Sequence, residues 1–304
     1  MRVMFVGDTH GFADWLRGYI FPVAMTLQVD ALVVLGDFGA WEHTIDGVAY
    51  MDEVNELCVA SGIPLYWLHG NHDKHSHTLK AYGDIRDRRG FLVCRDFVFY
   101  IPQGHTWSWG GVSFRSFGGA YSVDKAWRIQ HEQERYLHLL RKANDRAAAG
   151  GKHETVEPTA GTLWFPEEEM TDAEMDDLLA ADSSRKQIVL SHDKPYSAKP
   201  TWNRKELPGC VPNQLRLERA LRAHQPAYWL HGHLHYHYLD RIQGDGWQTT
   251  VIGLEPDDHA AEPGWKPKHT WALAELADGT VSLNPGTATF VDRELRKEAG
   301  AALA

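Results

Sequence analysis

Arg2-Val3-Met4-Phe5-Val6-Gly7-Asp8-Thr9-His10 opens the chain with a short apolar run that stops at glycine and delivers two metal-competent side chains. The construction recurs: residues 31–35 run into Gly36-Asp37, 65–68 into Gly70-Asn71-His72-Asp73, 188–190 into Ser191-His192-Asp193, and 228–230 into Gly232-His233-Leu234-His235. Apolar runs this short, bounded by glycine or polar residues, fit parallel strands buried on both faces. Polar groups at the carboxyl ends of such strands converge in the crevice where open α/β sheets bind ligands.

The residue types at those ends point to metal chemistry. Taken singly, an Asp after a strand caps a helix or a turn, and Asn71 beside glycine is ordinary turn chemistry. Eighteen histidines make an isolated one weak evidence. The joint order is different, because Asp8, His10, Asp37, Asn71, His192, His233 and His235 supply carboxylate, carboxamide and imidazole donors from five strand ends. That mixture suits manganese, iron or zinc better than soft copper sites. The pair His233 and His235 falls on one face if the segment is extended.

These five blocks, in this order, resemble the signature of the calcineurin-like metallophosphoesterases: Asp-x-His, Gly-Asp, Gly-Asn-His-Asp or Glu, a later His, and Gly-His-x-His. The resemblance spans residues 8–235 and implies a four-layer α/β/β/α sandwich with two mixed sheets. It implies two divalent metals, manganese first with iron, zinc or nickel as alternatives. Asp8, His10, Asp37 and His235 would hold one, and Asp37, Asn71, His192 and His233 the other, so that Asp37 bridges. His72 matches the non-ligating catalytic histidine, and attack by a metal-bound hydroxide follows because the set contains no Ser or Cys nucleophile. There is one departure: protein-phosphatase members carry an acid three positions after the bridging Asp, where Ala40 stands here. That leaves the orienting partner of His72 unassigned, and nothing entitles Asp73 to the role.

Length and charge are compatible with this reading. With 304 residues and 43% hydrophobic content the chain can bury a substantial core. A single domain over 1–304 is expected, because the ligands come from both the first and last thirds. A net charge of -10 disfavours long nucleic acid and acidic membranes as partners, while a nucleotide remains compatible, since bound metals invert the local potential. Cys58, Cys94 and Cys210 suggest neither a disulfide framework nor a thiolate metal site. No leader pattern precedes the first strand and no run approaches the roughly 20 apolar residues of a membrane span, so a soluble cytoplasmic protein is expected.

Residues 15–28 and 46–61 read as crossover helices. Residues 97–101 and 112–117 read as a strand pair around a Gly/Trp-rich turn. Residues 120–187 form an excursion, either a surface insertion with about two helices (127–143 and 171–181, the second with a Thr171/Glu174 capping box) or a lid or rim over the cleft with Trp164 and Phe165 as contacts. Within it, 147–161 reads as flexible. Asp193 caps a turn, orients His192, or does neither. Residues 213–224 read as a helix, residues 236–242, 249–252, 269–276 and 280–283 as strands with a hairpin turn at Asp278-Gly279, and 292–304 as a short helix or tail.

The function expected is hydrolysis of a small, nucleotide-like phosphodiester such as a cyclic nucleotide. The grounds are Ala40 and the supply of 12 Trp and 11 Tyr for stacking. The alternatives are a broad phosphomonoesterase or protein phosphatase, a nuclease engaging a short segment, and a non-catalytic binding protein stabilised by its metals.

Overall fold

The structure is a computed structural model that describes residues 1–41, 44–150, 152, 155–200, 207–256 and 269–284; the expected tail at 292–304 lies outside them. Thirteen strands are described: β1 (Arg2–Val6), β2 (Ala31–Val34), β3 (Leu65–Trp67), β4 (Leu92–Val93), β5 (Val98–Tyr100), β6 (Thr106–Trp109), β7 (Val112–Phe117), β8 (Ile188–Ser191), β9 (Tyr228–His231), β10 (Tyr238–Gly244), β11 (Trp247–Gly253), β12 (Trp271–Ala277) and β13 (Thr280–Asn284). The helices are α1 (Ala13–Trp15), a π-helical turn (Leu16–Ile20) leading into α2 (Phe21–Thr26), α3 (Ile45–Ser61), α4 (His75–Tyr82), α5 (Lys125–Ala148), α6 (Asp172–Ala181) and α7 (Val211–His224), with a 3-10 turn at Pro166–Glu168.

The strands form two sheets, ordered β13-β12-β1-β2-β3-β5-β4 and β10-β11-β9-β8-β7-β6. Both are mixed. A parallel centre, β1-β2-β3-β5 in one and β11-β9-β8-β7 in the other, is flanked by antiparallel strands. Alternation along each strand divides its apolar residues between two cores. Val3 and Phe5 face Leu190, Leu230 and Ile252 between the sheets, while Met4 and Val6 pack outward with Leu16, Ile20 and Val54 of the helices. On the far side Val189, Trp229 and Val251 pack with Met175 of α6 and Leu217 and Leu221 of α7. The layers therefore run helix, sheet, sheet, helix, and strands covered on both faces explain the nearly continuous apolar runs of the sequence.

One expected pairing is corrected. Residues 97–101 do not pair with 112–117: β5 lies in the first sheet beside β3, and β7 takes β6 as its hairpin partner in the second. Trp107 and Trp109 point inward while Thr106 and Ser108 face out, and Gly110-Gly111, both at positive φ, close a two-residue turn between Trp109 and Val112. The helix signals hold where they were strong. The Thr44 hydroxyl accepts from Gly47 N at the start of α3, and α6 carries the full Thr171/Glu174 capping box. Among the described residues no helix is long and apolar enough to cross a membrane.

The excursion between β7 and β8 folds back on itself. The buried Glu132 carboxylate of α5 accepts the backbone N–H groups of Thr162, Leu163 and Trp164 at 2.8, 2.6 and 2.9 Å. This ties the segment just after the stretch expected to be flexible to the long helix and sets Leu163 and Phe165 beside His72.

Candidate metal centre

The loops that follow β1, β2, β3, β8 and β9 meet at one edge of the sandwich. Their backbone is unusual. Seven non-glycine residues have positive φ among the described residues, and four of them are His10 (45°), Asp37 (45°), His233 (63°) and His235 (56°). Each such conformation costs on the order of 1–3 kcal/mol and survives only where its surroundings enforce it. His233 and His235 are thus not an extended pair, which corrects the expected geometry. They reach the site by two left-handed turns of the chain.

Packing around the loops is equally tight. A Cβ at Gly36 would collide with the His192 ring, one at Gly70 with the Asp37 carboxylate, and one at Gly232 with Asp8. Gly36→Ala is therefore expected to cost about 1–3 kcal/mol from overpacking beyond the backbone strain shared with Gly62→Ala, whose Cβ would meet open space. Urea denaturation of the two variants checks this. Equal losses would mean that the His192 ring yields.

His192 is fully buried and its ring orientation is set by its neighbours. Nδ1 donates to the Leu35 carbonyl at 2.8 Å, leaving Nε2 3.1 Å from Asn71 Oδ1 and 3.4 Å from Asp37 Oδ2. Asp37 Oδ1 accepts the His72 N–H at 2.8 Å, so its other oxygen faces the imidazoles. Asp8 accepts the His233 N–H with both oxygens at 3.1 Å, while its Oδ2 lies 3.2 Å from His235 Nε2 and 4.0 Å from His10 Nε2. Among the described residues, His, Cys, Asp and Glu donor atoms close enough to share a cation occur in three overlapping groups: Asp8, His10 and His235; His10, Asp37 and His72; and Asp8, Asp37 and His192.

Six of the seven expected ligands are thus connected through these groups or, for Asn71, through its contact with His192. The His233 ring lies 5.0 Å, centroid to centroid, from that of His192 but belongs to none of the three groups. His72, expected not to ligate, does share a group with His10 and Asp37.

The electrostatics suit a divalent cation. Burial, the largest single influence, would raise both aspartates, yet the surrounding imidazoles together outweigh it, His192 with His235 at Asp8 and His192 with His72 and His10 at Asp37, so Asp8 is held below the ordinary carboxylate range and Asp37 well below it. His192 in turn is opposed by burial but raised to about 10 by Asp37 and Asp8. Burial and the neighbouring His192 push His233 down to about 3, which keeps its ring a neutral acceptor. Two buried carboxylates thus share a cation even without metal. Their oxygens, the Asn71 carboxamide and several imidazoles form a donor set that fits hard or borderline divalent ions.

His72 sits at the open side of this cluster. Its nearest side-chain neighbour is Arg128 of α5, whose Nη2 lies 2.7 Å from Nε2 and 3.0 Å from Nδ1. The guanidinium is itself fixed, with Nε on Asp124 at 2.8 Å and Nη1 on the Leu163 carbonyl at 3.1 Å. Burial above all, and the Arg128 charge as well, lower the His72 pKa against the pull of Asp37. Asp73 does not touch the imidazole. It accepts from Phe38 N, Gly39 N and Gly70 N at 3.0, 2.9 and 2.9 Å and so clamps together the loops after β2 and β3. Asp193 does not orient the His192 ring by a hydrogen bond; it accepts from Lys194 N and the Asn213 carboxamide instead.

Trp41, Thr44, His72, Arg128, Thr162, Leu163 and Phe165 line a cavity of about 230 Å³ beside His72. The Trp41 indole is locked by donating to the His72 carbonyl at 2.9 Å. Phe165 is among the lining residues, whereas Trp164 carries the Lys125 ammonium over its ring at 4.2 Å. Arg128 left no readable signal in the sequence, since with Asp124 it resembles an ordinary i,i+4 surface pair.

The family model described as calcineurin-like phosphoesterase matches residues 1–237. The chain belongs to this family of metal-dependent phosphoester hydrolases. No curated protein matches the sequence. Similar solved structures include a Thermotoga maritima protein determined in solution, with 12% identity, 94% of this chain and 98% of that chain covered, and a TM-score of 0.38. A Thermus thermophilus protein has 12% identity, coverage of 94% and 98%, and a TM-score of 0.42. GAP50 of Plasmodium, described as the anchor in the inner membrane complex, has 12% identity, coverage of 93% and 83%, and a TM-score of 0.42.

Proposed function

We propose that this chain is a binuclear metal-dependent phosphodiesterase acting on a small, nucleotide-like phosphodiester, with manganese as the leading candidate metal. One metal would be held by Asp8, His10, Asp37 and His235, the other by Asp37, Asn71, His192 and His233. When bound, the pair supplies Lewis acidity toward the phosphoryl oxygens and lowers the pKa of a water. The protein holds Asp37 through the His72 N–H and presents the His72 imidazole to the leaving oxygen, to which the ring, once protonated, would donate a hydrogen bond and then its proton, returning to the neutral form. The shape of the neighbouring cavity carries the diester reading.

That cavity opens directly on His72 and has Trp41, Leu163 and Phe165 as apolar walls. At about 230 Å³ it falls below the roughly 300–1,000 Å³ of sites for drug-sized ligands, which favours one planar substituent over a protein segment. Ala40 gives the diester reading no support. It is fully buried in the core cluster that includes Phe38 and Trp67, where it fills volume, and Arg128 occupies the space beside His72. Arg128 also favours a second reading, a phosphomonoesterase, because a guanidinium fork suits a dianionic phosphate.

The test is a panel of matched aryl phosphodiester and phosphomonoester with 2′,3′- and 3′,5′-cyclic nucleotides, at fixed pH and with both metal sites filled. A higher kcat/KM for the aryl diester is expected. A reproducible monoester preference rejects the diester assignment, and silence on every substrate favours a binding protein.

A further inference from the structure

We propose that Ser122 and Glu168, both in the excursion between β7 and β8, are positioning residues that fix the Asn71 carboxamide with its oxygen toward the metal site. The inference rests on the reading of Asn71 as a ligand. A carboxamide offers an oxygen and an NH₂ group of nearly the same shape, and only the oxygen can ligate. Something must therefore choose its orientation.

The choice follows from donor and acceptor logic. An ionised carboxylate only accepts, so both donors of Ser122 point to Glu168: the hydroxyl to Oε2 at 2.5 Å and the backbone N–H to Oε1 at 3.2 Å. With its proton committed, the Ser122 oxygen is left to accept, and it takes the Asn71 NH₂ at 3.0 Å. The carboxamide oxygen is thereby turned to the opposite side, where it stands 3.1 Å from His192 Nε2. All three side chains are buried, Asn71 at 3%, Ser122 at 0% and Glu168 at 1% exposure, so water does not compete for these bonds.

The chain around Glu168 holds the relay in place. Its N–H donates to the Phe165 carbonyl at 3.0 Å and its carbonyl accepts from Ala120 N at 2.9 Å. Gly119, at φ +81°, allows the same carbonyl a close approach that a Cβ would block. The excursion that walls the cavity with Phe165 thus also sets the polarity of a ligand on the metal side.

Calorimetric titration of manganese into the metal-free full chain tests the relay, with anomalous diffraction at limiting manganese showing which position empties. Loss of a partner that orients a ligand typically weakens metal binding by about 10–100-fold. Ser122→Ala and Glu168→Gln are each expected to weaken the Asn71 site by that factor while leaving the Asp8–His10–His235 site unchanged, with only the modest drop in metal-free Tm that the loss of one buried hydrogen bond brings. The double variant should be no worse than the more severe single one, because both act through one chain of bonds. In Glu168→Gln the single amide oxygen can satisfy only one Ser122 donor; should that variant fail to fold, Ser122→Ala carries the test alone.

Asn71→Ala distinguishes a failure of the relay from a failure of Asn71 as a ligand. If Asn71→Ala weakens one site and the relay variants bind both metals as the parent does, the relay is wrong and the metal reading stands. Parallel loss of both sites together with a metal-free Tm lowered well beyond that modest drop assigns Ser122 and Glu168 a merely structural role and overturns the proposal. Unaltered metal binding by Asn71→Ala overturns the ligand reading and the relay with it.

Discussion

Asp37→Asn is expected to lose the metal pair, with affinity falling about 10²–10⁴-fold and turnover falling with it. The estimate follows from the roughly 3–5 kcal/mol that removing one partner from a buried charged set costs. The neutral amide can still accept the His72 N–H that Asp37 Oδ1 holds at 2.8 Å. Its NH₂ group would then face the imidazoles where Asp37 Oδ2 now lies, 3.4 Å from His192 Nε2 and 3.8 Å from His72 Nε2. A donor replaces an anion at the junction of two cations. Metal analysis after dialysis and a metal-soaked structure measure the effect, and full occupancy of both positions with unchanged geometry would remove Asp37 as the bridge.

His72→Ala should keep both metals and lose turnover by about 10²–10⁴-fold, the usual worth of general acid–base assistance. Its side chain is about a third exposed at the mouth of the cavity and has no backbone-holding duty, which its N–H to Asp37 performs instead. The deficit should shrink for an aryl leaving group, which needs little protonation, and reach its full size for an alkyl one. Near-normal turnover of both by a fully metallated variant takes His72 out of the chemistry.

The strand-end blocks were legible because strands covered on both faces must be apolar throughout, so the polar residues that end them stand out. The same property hid the sheet to which each strand belongs. Residues 97–101 and 112–117 both have strand character and are close in sequence, yet they lie in different sheets, since the inward alternation of Trp107 and Trp109 marks an intervening strand that the glycines disguised as a turn. The capping box at Thr171 and the hairpin at Asp278-Gly279 were legible because their partners are local.

Partners distant in sequence were not. Arg128 reaches His72 across 56 residues, and Ser122 meets Glu168 across 46, with nothing in either neighbourhood to show it. The left-handed backbone of His10, Asp37, His233 and His235 was equally invisible, because only contacts made after folding enforce it.

The most direct test of the binuclear centre is the paramagnetic resonance spectrum of the manganese-loaded full chain, read beside its metal content. Asp8 and Asp37 both lie within shared-ligand distance of His192, and two metals held by this set should stand about 3.5–4 Å apart. The prediction is two manganese ions per chain with the multiline spectrum of an exchange-coupled pair. One ion per chain, or two whose spectra are uncoupled, would contradict it.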